Sequence, residues 1–253
     1  MSTKDQNINN DFVIEIKHLQ KSFDNKTVLK DLSLNVRKSE NIVILGKSGI
    51  GKSVLIKCIV GLINPDGGSL KVFGKEVSEM NTSELNTLRT KVGFIFQGNA
   101  LYDSMTVREN LEFPLRRHRS KFDKEIHTET LVQEALENVG LLSAIDLMPA
   151  ELSGGMKRRI ALARTLILQP KIILYDEPTS GLDPITAKEI ILLMQDIQKK
   201  YKTSSLIITH DVDCARVISD RMILLIDGVD YAEGTYDELS SSTDKNIKAF
   251  FKH

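Results

Sequence analysis

A glycine-rich segment with one lysine and one serine at fixed spacing is the part of this sequence best suited to chemistry. Residues 46–53 have the sequence GKSGIGKS, which matches the pattern G-x-x-x-x-G-K-[ST] at every fixed position. Backbone N–H groups of such a loop bind phosphate oxygens, the lysine reaches the terminal phosphates and the hydroxyl binds Mg²⁺. The alternative is an ordinary glycine-rich turn between a strand and a helix. The pattern predicts a nucleotide site formed by Gly46, Lys47, Ser48, Gly49, Ile50, Gly51, Lys52, Ser53 and Val54.

Two adjacent carboxylates supply the second group of reactive side chains. Asp176 and Glu177 follow the apolar run 171–175, KIILY. A strand over that run places Asp176 at the carboxyl edge of a sheet, near the metal, and lets Glu177 polarise a water in line with the γ-phosphate. Two acids after a strand are also typical of a solvated loop. Together with the phosphate loop, they favour hydrolysis of the bound nucleotide.

The elements that must position these residues alternate between strand and helix. The apolar run 41–45 (NIVIL) predicts a buried strand before the phosphate loop, and the pattern over 51–62 predicts a helix after it. Further strands are predicted over 92–96, 171–175, 204–209 and 222–226, with a hairpin turn at Asp227-Gly228. Between about 98 and 155 the signals are helical, and Thr106 and Glu109 form a capping-box pair. We therefore expect an α/β fold with a mainly parallel sheet, interrupted by a helical insert.

Composition excludes several other classes of protein. The chain has 253 residues, 41% of them hydrophobic, so it can bury a sizeable core. Its 34 basic and 34 acidic residues give no net charge, which argues against bulk electrostatic binding to nucleic acid or membrane. Two cysteines are too few for a disulfide framework, and no apolar run approaches the ~20 residues of a membrane span. We expect a cytoplasmic protein with a loose tail over 1–10.

Residues 152–156, LSGGM, precede the acidic strand and identify a family resemblance. They resemble the signature of ATP-binding cassette (ABC) ATPases, usually LSGGQ, with Met156 in place of the glutamine. The resemblance covers nearly the whole chain. It implies a P-loop NTPase core, an antiparallel β subdomain at the N-terminal side, and one domain over 11–253 with a helical subdomain at about 98–158 and a short tail over 240–253. It also implies a head-to-tail dimer in which Ser153, Gly154 and Gly155 bind the nucleotide held by the second copy.

The same resemblance gives roles to four further residues. Gln97 is similar to the glutamine that senses Mg²⁺ and the attacking water, and His210 to the switch histidine at the γ-phosphate. Asp183 lies in a segment, SGLD, that resembles the D-loop. Phe23 stands where the family often has a tyrosine that stacks on adenine. Each residue alone also fits a purely structural role, but their shared order favours the family. The implied catalytic residues are Glu177, His210 and Gln97, and the implied Mg²⁺ ligands are Ser53, Gln97 and Asp176.

Finer resemblance indicates a branch of the family. Residues 96–116 and the segment GLDPIT over 181–186 are similar to the ATPases of Mla-type intermembrane phospholipid transporters. This implies a subunit at the inner face of the inner membrane that drives a separate permease and, through it, a periplasmic lipid-binding subunit. The alternatives are an ATPase of another importer or exporter, or a soluble clamp. The stretch after His210 is too short for an added regulatory domain, so we expect a stand-alone cassette.

For each of two apolar segments, the sequence is consistent with two different packing partners. Leu101, Tyr102 and Met105 precede the cap at Thr106, and they either seal the insert onto the sheet or form a groove for a permease helix. Residues 244–253 carry Ile247, Phe250 and Phe251 at helical spacing. That face packs either on its own domain or on the second copy.

Overall fold

The computed structural model describes residues 11–24, 26–47, 49–98, 100–118 and 128–251. The predicted loose tail over 1–10 lies outside these ranges, as do Ser48 and part of the predicted insert. The strands within them are β1 (Phe12–Phe23), β2 (Lys26–Arg37), β3 (Asn41–Leu45), β4 (Gly67–Val72), β5 (Lys75–Glu76), β6 (Val92–Ile95), β7 (Ile172–Asp176), β8 (Ser204–Thr209), β9 (Arg221–Ile226) and β10 (Val229–Gly234). The helices are α1 (Lys52–Ile59), α2 (Thr82–Lys91), α3 (Val107–Arg117), α4 (Thr128–Glu137), α5 (Gly154–Leu166), α6 (Pro184–Tyr201), α7 (Val212–Ile218), α8 (Tyr236–Ser240) and α9 (Lys245–Phe251).

A parallel sheet holds the segments that were predicted to do chemistry. Its strands run in the order β9-β3-β8-β7-β6, and every residue of β3 and β8 is buried. Leu45 at the end of β3 pairs with Thr209 of β8, and Asp176 at the end of β7 pairs with Ile208. The carboxyl ends of three strands are therefore neighbours. The segments that follow them, which carry the phosphate loop, Glu177 and His210, meet at one edge of the sheet.

The N-terminal part of the chain adds antiparallel strands to this sheet, which agrees with the antiparallel β subdomain that the family resemblance implied. β1 pairs with β2 and β4, and β4 pairs with the short β5. β10 pairs antiparallel with β9 and makes one pairing with β2, which joins the two parts into a single ten-stranded sheet. Asp227 and Gly228 connect β9 to β10 with φ angles of 50° and 81°, so the predicted hairpin turn is present. The predicted α/β fold class is confirmed.

The helix after the phosphate loop begins one residue later than predicted and ends three residues early. α1 runs from Lys52 to Ile59, whereas the apolar pattern had predicted helix to Leu62. The chain turns back at this point, because the Gly61 N–H donates to the carbonyl of Cys58 and the Leu62 N–H donates to that of Lys57. Leu62 is consequently left 56% exposed.

An apolar cluster of the helical part of the chain lies between α3, α4 and α5. Thr106 caps α3 by accepting the Glu109 N–H at 3.2 Å, and Glu109 accepts the Thr106 N–H at 2.8 Å, which is the predicted capping box. α5 contributes Ile160 to this cluster. It contributes Leu162 to a separate cluster beneath the parallel sheet, which includes Ile173 of β7, Ile207 of β8 and Ile190 of α6. α5 therefore joins the helical layer to the sheet, and the predicted boundary near residue 158 falls inside this helix.

The C-terminal helices pack against the main domain of the same chain. Ile247 of α9 is buried, and Phe250 and Phe251 lie against the cluster beneath the parallel sheet. The ring of Phe251 meets Tyr236 of α8 edge to face, with centroids 5.6 Å apart. The apolar face of this segment is thus used within its own domain, which was one of the two predicted arrangements.

Both cysteines are free and buried, as the composition predicted. Burial raises the pKa of the Cys58 thiol to about 11 and that of Cys214 to about 12. Neither is therefore a thiolate at neutral pH. Within the described ranges we find no helix with the length and apolar character that crossing a bilayer requires.

Candidate functional site

The phosphate loop lies between β3 and α1 and has a backbone that only glycine suits. Gly51 is the residue before α1 and has φ 113°, and a Cβ at this position would lie 2.6 Å from Cγ1 of Val28 on β2. Lys52 is 5% exposed, and its ammonium donates a hydrogen bond to the carbonyl of Gly46 across the loop. The lysine therefore spans the mouth of the loop, where phosphate oxygens bind in sites of this kind. Ser48 lies outside the described residues.

Ser53 and Asp176 form an oxygen pair beside the loop. The Ser53 hydroxyl donates to Oδ1 of Asp176 at 3.2 Å. Burial raises the pKa of Asp176 above its ordinary value, while the hydrogen bond from Ser53 lowers it. These are hard oxygen ligands of the kind that Mg²⁺ takes, and Mg²⁺ usually needs only one or two protein ligands because phosphates and water complete its shell. The pair fits the predicted Mg²⁺ site, and no larger cluster of metal-binding side chains occurs in the described part of the chain.

Glu177 occupies the centre of the site. Its Oε1 lies 3.2 Å from the Lys52 ammonium, and its Oε2 lies 2.8 Å from Nδ1 of His210. Its backbone has φ 51°, in the left-handed region, and its N–H donates to the carbonyl of Ile208 at 2.8 Å. Non-glycine residues in that region cost free energy and concentrate at functional sites. The turn after β7 thus holds this carboxylate between the lysine of one segment and the histidine of another.

A cleft of about 280 Å³ is lined by nine of the predicted residues and by Val28. Its lining consists of Val28, Gly49, Gly51, Lys52, Ser53, Val54, Gln97, Asp176, Glu177 and His210. The volume lies just below the usual range for ligand pockets of about 300–1,000 Å³. The volume suits a chain of phosphates. Phe23 on β1 is not part of this lining; it is 42% exposed, and the Lys21 ammonium lies 5.3 Å from its ring centroid. Its predicted stacking on adenine remains a prediction.

Gln97 points toward the segment after Glu177. Its Nε2 donates to the Ser180 hydroxyl at 3.2 Å, although the residue also lines the cleft. In this arrangement its amide contacts neither Ser53 nor Asp176. The predicted roles of Gln97 in sensing water and binding Mg²⁺ remain predictions.

The signature residues lie at the start of α5, away from the cleft. Ser153 caps the helix by accepting the Met156 N–H at 3.2 Å, and Gly154 and Gly155 form its first turn. A Cβ on Gly155 would lie 2.6 Å from Cγ2 of Thr186, so glycine is needed for α6 to approach this closely. Asp183 caps α6 by accepting the N–H groups of Ile185 and Thr186, and the hydrogen bonds from Thr186 lower its pKa. The structure brings these two helix starts together but leaves them outside the lining of their own cleft.

Three residues of this region were not predicted to act at the site, and Ser180 was predicted only as part of the SGLD segment. Thr179 donates its hydroxyl to Asp211 at 3.1 Å, and Asp211 also caps α7 by accepting the Cys214 N–H, so it fixes the turn that carries His210. Ser180 receives the Gln97 amide, and Arg158 donates to the carbonyls of Phe96 and Ser180. Of Thr179, Asp211 and Arg158, only Asp211 has a local signal in the sequence, since an aspartate just before a helix is a frequent cap.

Comparison with known proteins agrees with this geometry. The sequence model described as "ABC transporter" matches residues 29–180. A probable ribonucleotide transport ATP-binding protein of Mycobacterium leprae is 42% identical over 84% of this chain and 60% of its own length. A methionine import ATP-binding protein of Clostridium tetani is 43% identical over 85% of this chain and 67% of its own length. An intermembrane phospholipid transport ATP-binding protein of Haemophilus influenzae is 36% identical over 96% of this chain and 91% of its own length.

A solved structure resembles the chain over most of its length. It is a dimer of the ATP-binding cassette MJ0796 in a post-hydrolysis state with ADP and phosphate, with a TM-score of 0.79 and 30% identity over 88% of this chain and 98% of that one. Fold and site together define a P-loop ATPase cassette. The chain belongs to the ABC transporter family. It spans about 60% of the length of the Mycobacterium leprae relative.

Proposed function

We propose that this chain binds and hydrolyses ATP as the ATPase subunit of an ABC transporter. The observation that carries the proposal is the meeting of Lys52, Ser53, Asp176, Glu177 and His210 in one cleft. The triphosphate binds along the phosphate loop, where Lys52 exchanges its contacts with Gly46 and Glu177 for phosphate oxygens. Ser53 and Asp176 would hold Mg²⁺, which would neutralise phosphate charge. Glu177, released from Lys52, orients or deprotonates the attacking water, and His210 contacts the γ-phosphate.

Exchange of Glu177 for glutamine tests this mechanism. Glu177→Gln keeps the size of the side chain and one acceptor but removes the charge that acts on water. We expect the purified variant to bind ATP, to lose hydrolysis by a factor on the order of 10²–10⁴, and to accumulate as a closed dimer. Normal turnover by Glu177→Gln at wild-type expression would contradict the role of Glu177. Absence of ATP hydrolysis by the wild-type chain and its complex would contradict the proposal itself.

We further propose that two copies close head to tail around two ATP molecules. Ser153, Gly154 and Gly155 lie outside the lining of the cleft of their own chain, at a helix N-terminus that favours anions. A second copy in the opposite orientation brings this segment to the γ-phosphate. The dimeric cassette MJ0796 supports this arrangement, since it is 30% identical to this chain. Closure on ATP then supplies the mechanical step that drives a separate permease.

For the cargo we propose phospholipid moved between the two membranes of a cell envelope. The Haemophilus influenzae phospholipid-transport relative supports this, because the alignment covers 96% of this chain and 91% of that protein. The relatives named for ribonucleotide transport and methionine import are slightly more identical over a shorter part of their own length, and they support another importer as the alternative. A soluble clamp is the weakest candidate, because the net charge is zero. The phospholipid proposal places the chain on the inner face of the inner membrane, with a permease and a periplasmic lipid-binding subunit as partners.

A surface beside Gln97 suits the permease. Tyr102 is 43% exposed and its ring contacts that of Phe113, with centroids 4.9 Å apart and ring planes tilted by 54°, and the Arg164 guanidinium lies 5.8 Å from the centroid of the Tyr102 ring. Asn110 is fully buried and fixes this segment, because it accepts the Tyr102 N–H and donates to the carbonyls of Tyr102, Met105 and Thr106. Leu101, in contrast, packs on the helical cluster, so the docking surface begins at Tyr102. Aromatic and arginine side chains are the residues most often found at the centre of interfaces.

Copurification from native membranes separates the cargo candidates. The tagged chain is isolated in mild detergent, and bound subunits and lipids are identified by mass spectrometry. A permease with a periplasmic lipid-binding subunit and enriched phospholipid supports the proposal. A permease with an amino-acid- or nucleotide-binding protein would support the alternative importer instead.

A further inference from the structure

The guanidinium of Arg158 is buried in α5 and has no counterion among the residues that the structure describes. The residue is 3% exposed, Nη1 donates to the carbonyl of Phe96 at 3.0 Å, and Nη2 donates to that of Ser180 at 3.4 Å. Nε has no acceptor. Burial lowers the pKa of Arg158, and no ion pair with it is found among the described residues. Both of its partners are neutral backbone carbonyls.

Such an arrangement is costly for stability. Burying a cation without an opposite charge costs free energy, and replacing buried ionic groups with well-packed apolar ones is often neutral or stabilising. The unsatisfied Nε–H adds the cost of a buried donor without a partner. Packing within α5 therefore does not explain an arginine at position 158. The explanation has to lie in the two hydrogen bonds that its guanidinium donates.

Both contacts lie next to residues of the proposed ATPase site. Phe96 immediately precedes Gln97, and the Gln97 amide donates to the side chain of the same Ser180 whose carbonyl Arg158 holds. Ser180 also begins the segment that ends at Asp183. On the other side, Arg158 follows Ser153 by five residues on α5, about 7.5 Å along the helix axis. The Arg158 side chain thus connects α5 with the residue before Gln97 and with the segment that follows Glu177.

We propose that Arg158 is a positioning residue that transmits engagement of the signature to Gln97 and Ser180 of the same subunit. This rests on the proposed head-to-tail dimer, in which the signature of one subunit binds the nucleotide of the other. When Ser153–Gly155 close on that nucleotide, α5 moves as a rigid helix, and Arg158 shifts the carbonyls of Phe96 and Ser180 with it. Gln97 then takes its position at the subunit's own nucleotide. Arg158 couples the two ATP sites and makes hydrolysis cooperative.

Arg158→Met tests the coupling, with Arg159→Met as the matched control. Arg159 is the next residue of α5 and also donates to a backbone carbonyl, that of Val139 at 3.1 Å, but its other partner is Glu189 and it touches no residue of the site. The full chain is assayed for ATP binding, unfolding temperature and the ATP dependence of hydrolysis. Couplings of this kind change rates by about two- to thirtyfold. For Arg158→Met we expect unchanged ATP affinity and unfolding temperature, a maximal rate lower by such a factor, and a Hill coefficient that falls to about 1. Arg159→Met should keep the wild-type Hill coefficient.

A second exchange guards against misfolding of the first. Arg158→Lys keeps the charge but replaces the two-armed guanidinium with a single ammonium, and we expect the same loss of cooperativity. A wild-type Hill coefficient with either folded variant overturns the inference, as does a coefficient of 1 for the wild-type chain. The wild-type measurement also separates this inference from the proposed function. Without hydrolysis by the wild-type chain the function fails, whereas hydrolysis that is indifferent to Arg158 contradicts only the coupling.

Discussion

At the scale of single residues, the site holds its charges in contact with each other. Glu177 accepts from His210 and lies 3.2 Å from the Lys52 ammonium, while Lys52 also donates to the Gly46 carbonyl. In the proposed mechanism, a bound triphosphate replaces the contacts of Lys52. Glu177, the proposed base, then stays in contact with Lys52 until phosphate oxygens take over the lysine. The proposal therefore links triphosphate binding to activation of Glu177 through one side chain.

Exchange of Lys52 for alanine should weaken nucleotide binding itself. Lys52→Ala deletes the buried cation of the loop, and a hydrogen bond to a charged group contributes about 1.5–3 kcal/mol. We expect affinity for ATP to fall roughly ten- to a hundredfold in titrations with a fluorescent analogue. Glu177→Gln is the informative control, because it removes the competitor for Lys52, and it should bind ATP at least as tightly as the wild type. Unchanged affinity of Lys52→Ala would mean that the loop is not the phosphate site.

At the scale of elements, contacts between helix starts position the signature. α5 begins at Gly154 and α6 at Pro184, and each is capped by the side chain that precedes it, Ser153 and Asp183. The two starts approach so closely that Gly155 leaves no room for a Cβ beside Thr186. The position of the signature is therefore determined by a tertiary contact between two helices.

Gly155→Ala should destabilise the subunit, and loss of one methyl group from Thr186 should restore it. Overpacking of this kind costs about 1–3 kcal/mol, which lowers the unfolding temperature by roughly 2–4 °C per kcal/mol in a chain of this size. Thr186→Ser removes Cγ2, the atom 2.6 Å from the added Cβ, and keeps the hydroxyl. Differential scanning calorimetry without nucleotide measures both variants and their combination. If Gly155→Ala alone unfolds at the wild-type temperature, the contact between the two helices is looser than described.

At the scale of the whole molecule, the proposed dimer requires each chain to contribute to two different ATP sites. The phosphate cleft lies at the carboxyl ends of β3, β7 and β8, while Ser153–Gly155 lie at the start of α5 outside its lining. α9 packs on its own domain, so its apolar face is already used within one subunit. In the proposed dimer, ATP is then the main link that completes each site.

Mixed dimers test whether each ATP site is formed by residues of two subunits. Ser153→Arg subunits keep a sound phosphate loop, and Lys52→Ala subunits keep a sound signature. A heterodimer of the two has one undamaged composite site, because both defects fall in the other. We expect ATP-dependent closure, followed by sedimentation, to be absent for either variant alone and to return on mixing. Mixtures that never close would mean either that the head-to-tail arrangement is wrong or that closure requires both sites to be intact.

Much of the site could be predicted from the sequence because its residues lie in short segments with fixed spacing. The apolar runs 41–45, 171–175 and 204–209 each predict a strand, and the phosphate loop, the Asp176-Glu177 pair and His210 come directly after them in the sequence. Parallel strands bring such ends to one edge, so local pattern was sufficient to expect that they meet. The fold class follows for the same reason. The capping box at Thr106 and the hairpin turn at Asp227-Gly228 are equally local, since each depends on neighbouring residues alone.

Only the tertiary structure decided which long-range contacts hold these segments in place. The end of α1 at Ile59 depends on backbone bonds of the following turn, which the apolar pattern through Leu62 conceals. Three contacts of the site join residues that are 22 to 83 positions apart in the chain. They are the hydrogen bond from Arg158 to Ser180, the hydrogen bond from Gln97 to Ser180 and the close approach of Gly155 to Thr186. No periodicity marks such pairs, because periodicity reports only the face on which a side chain lies. Which side chain it meets there depends on how the helical layer packs on the sheet, and that packing is a property of the folded chain.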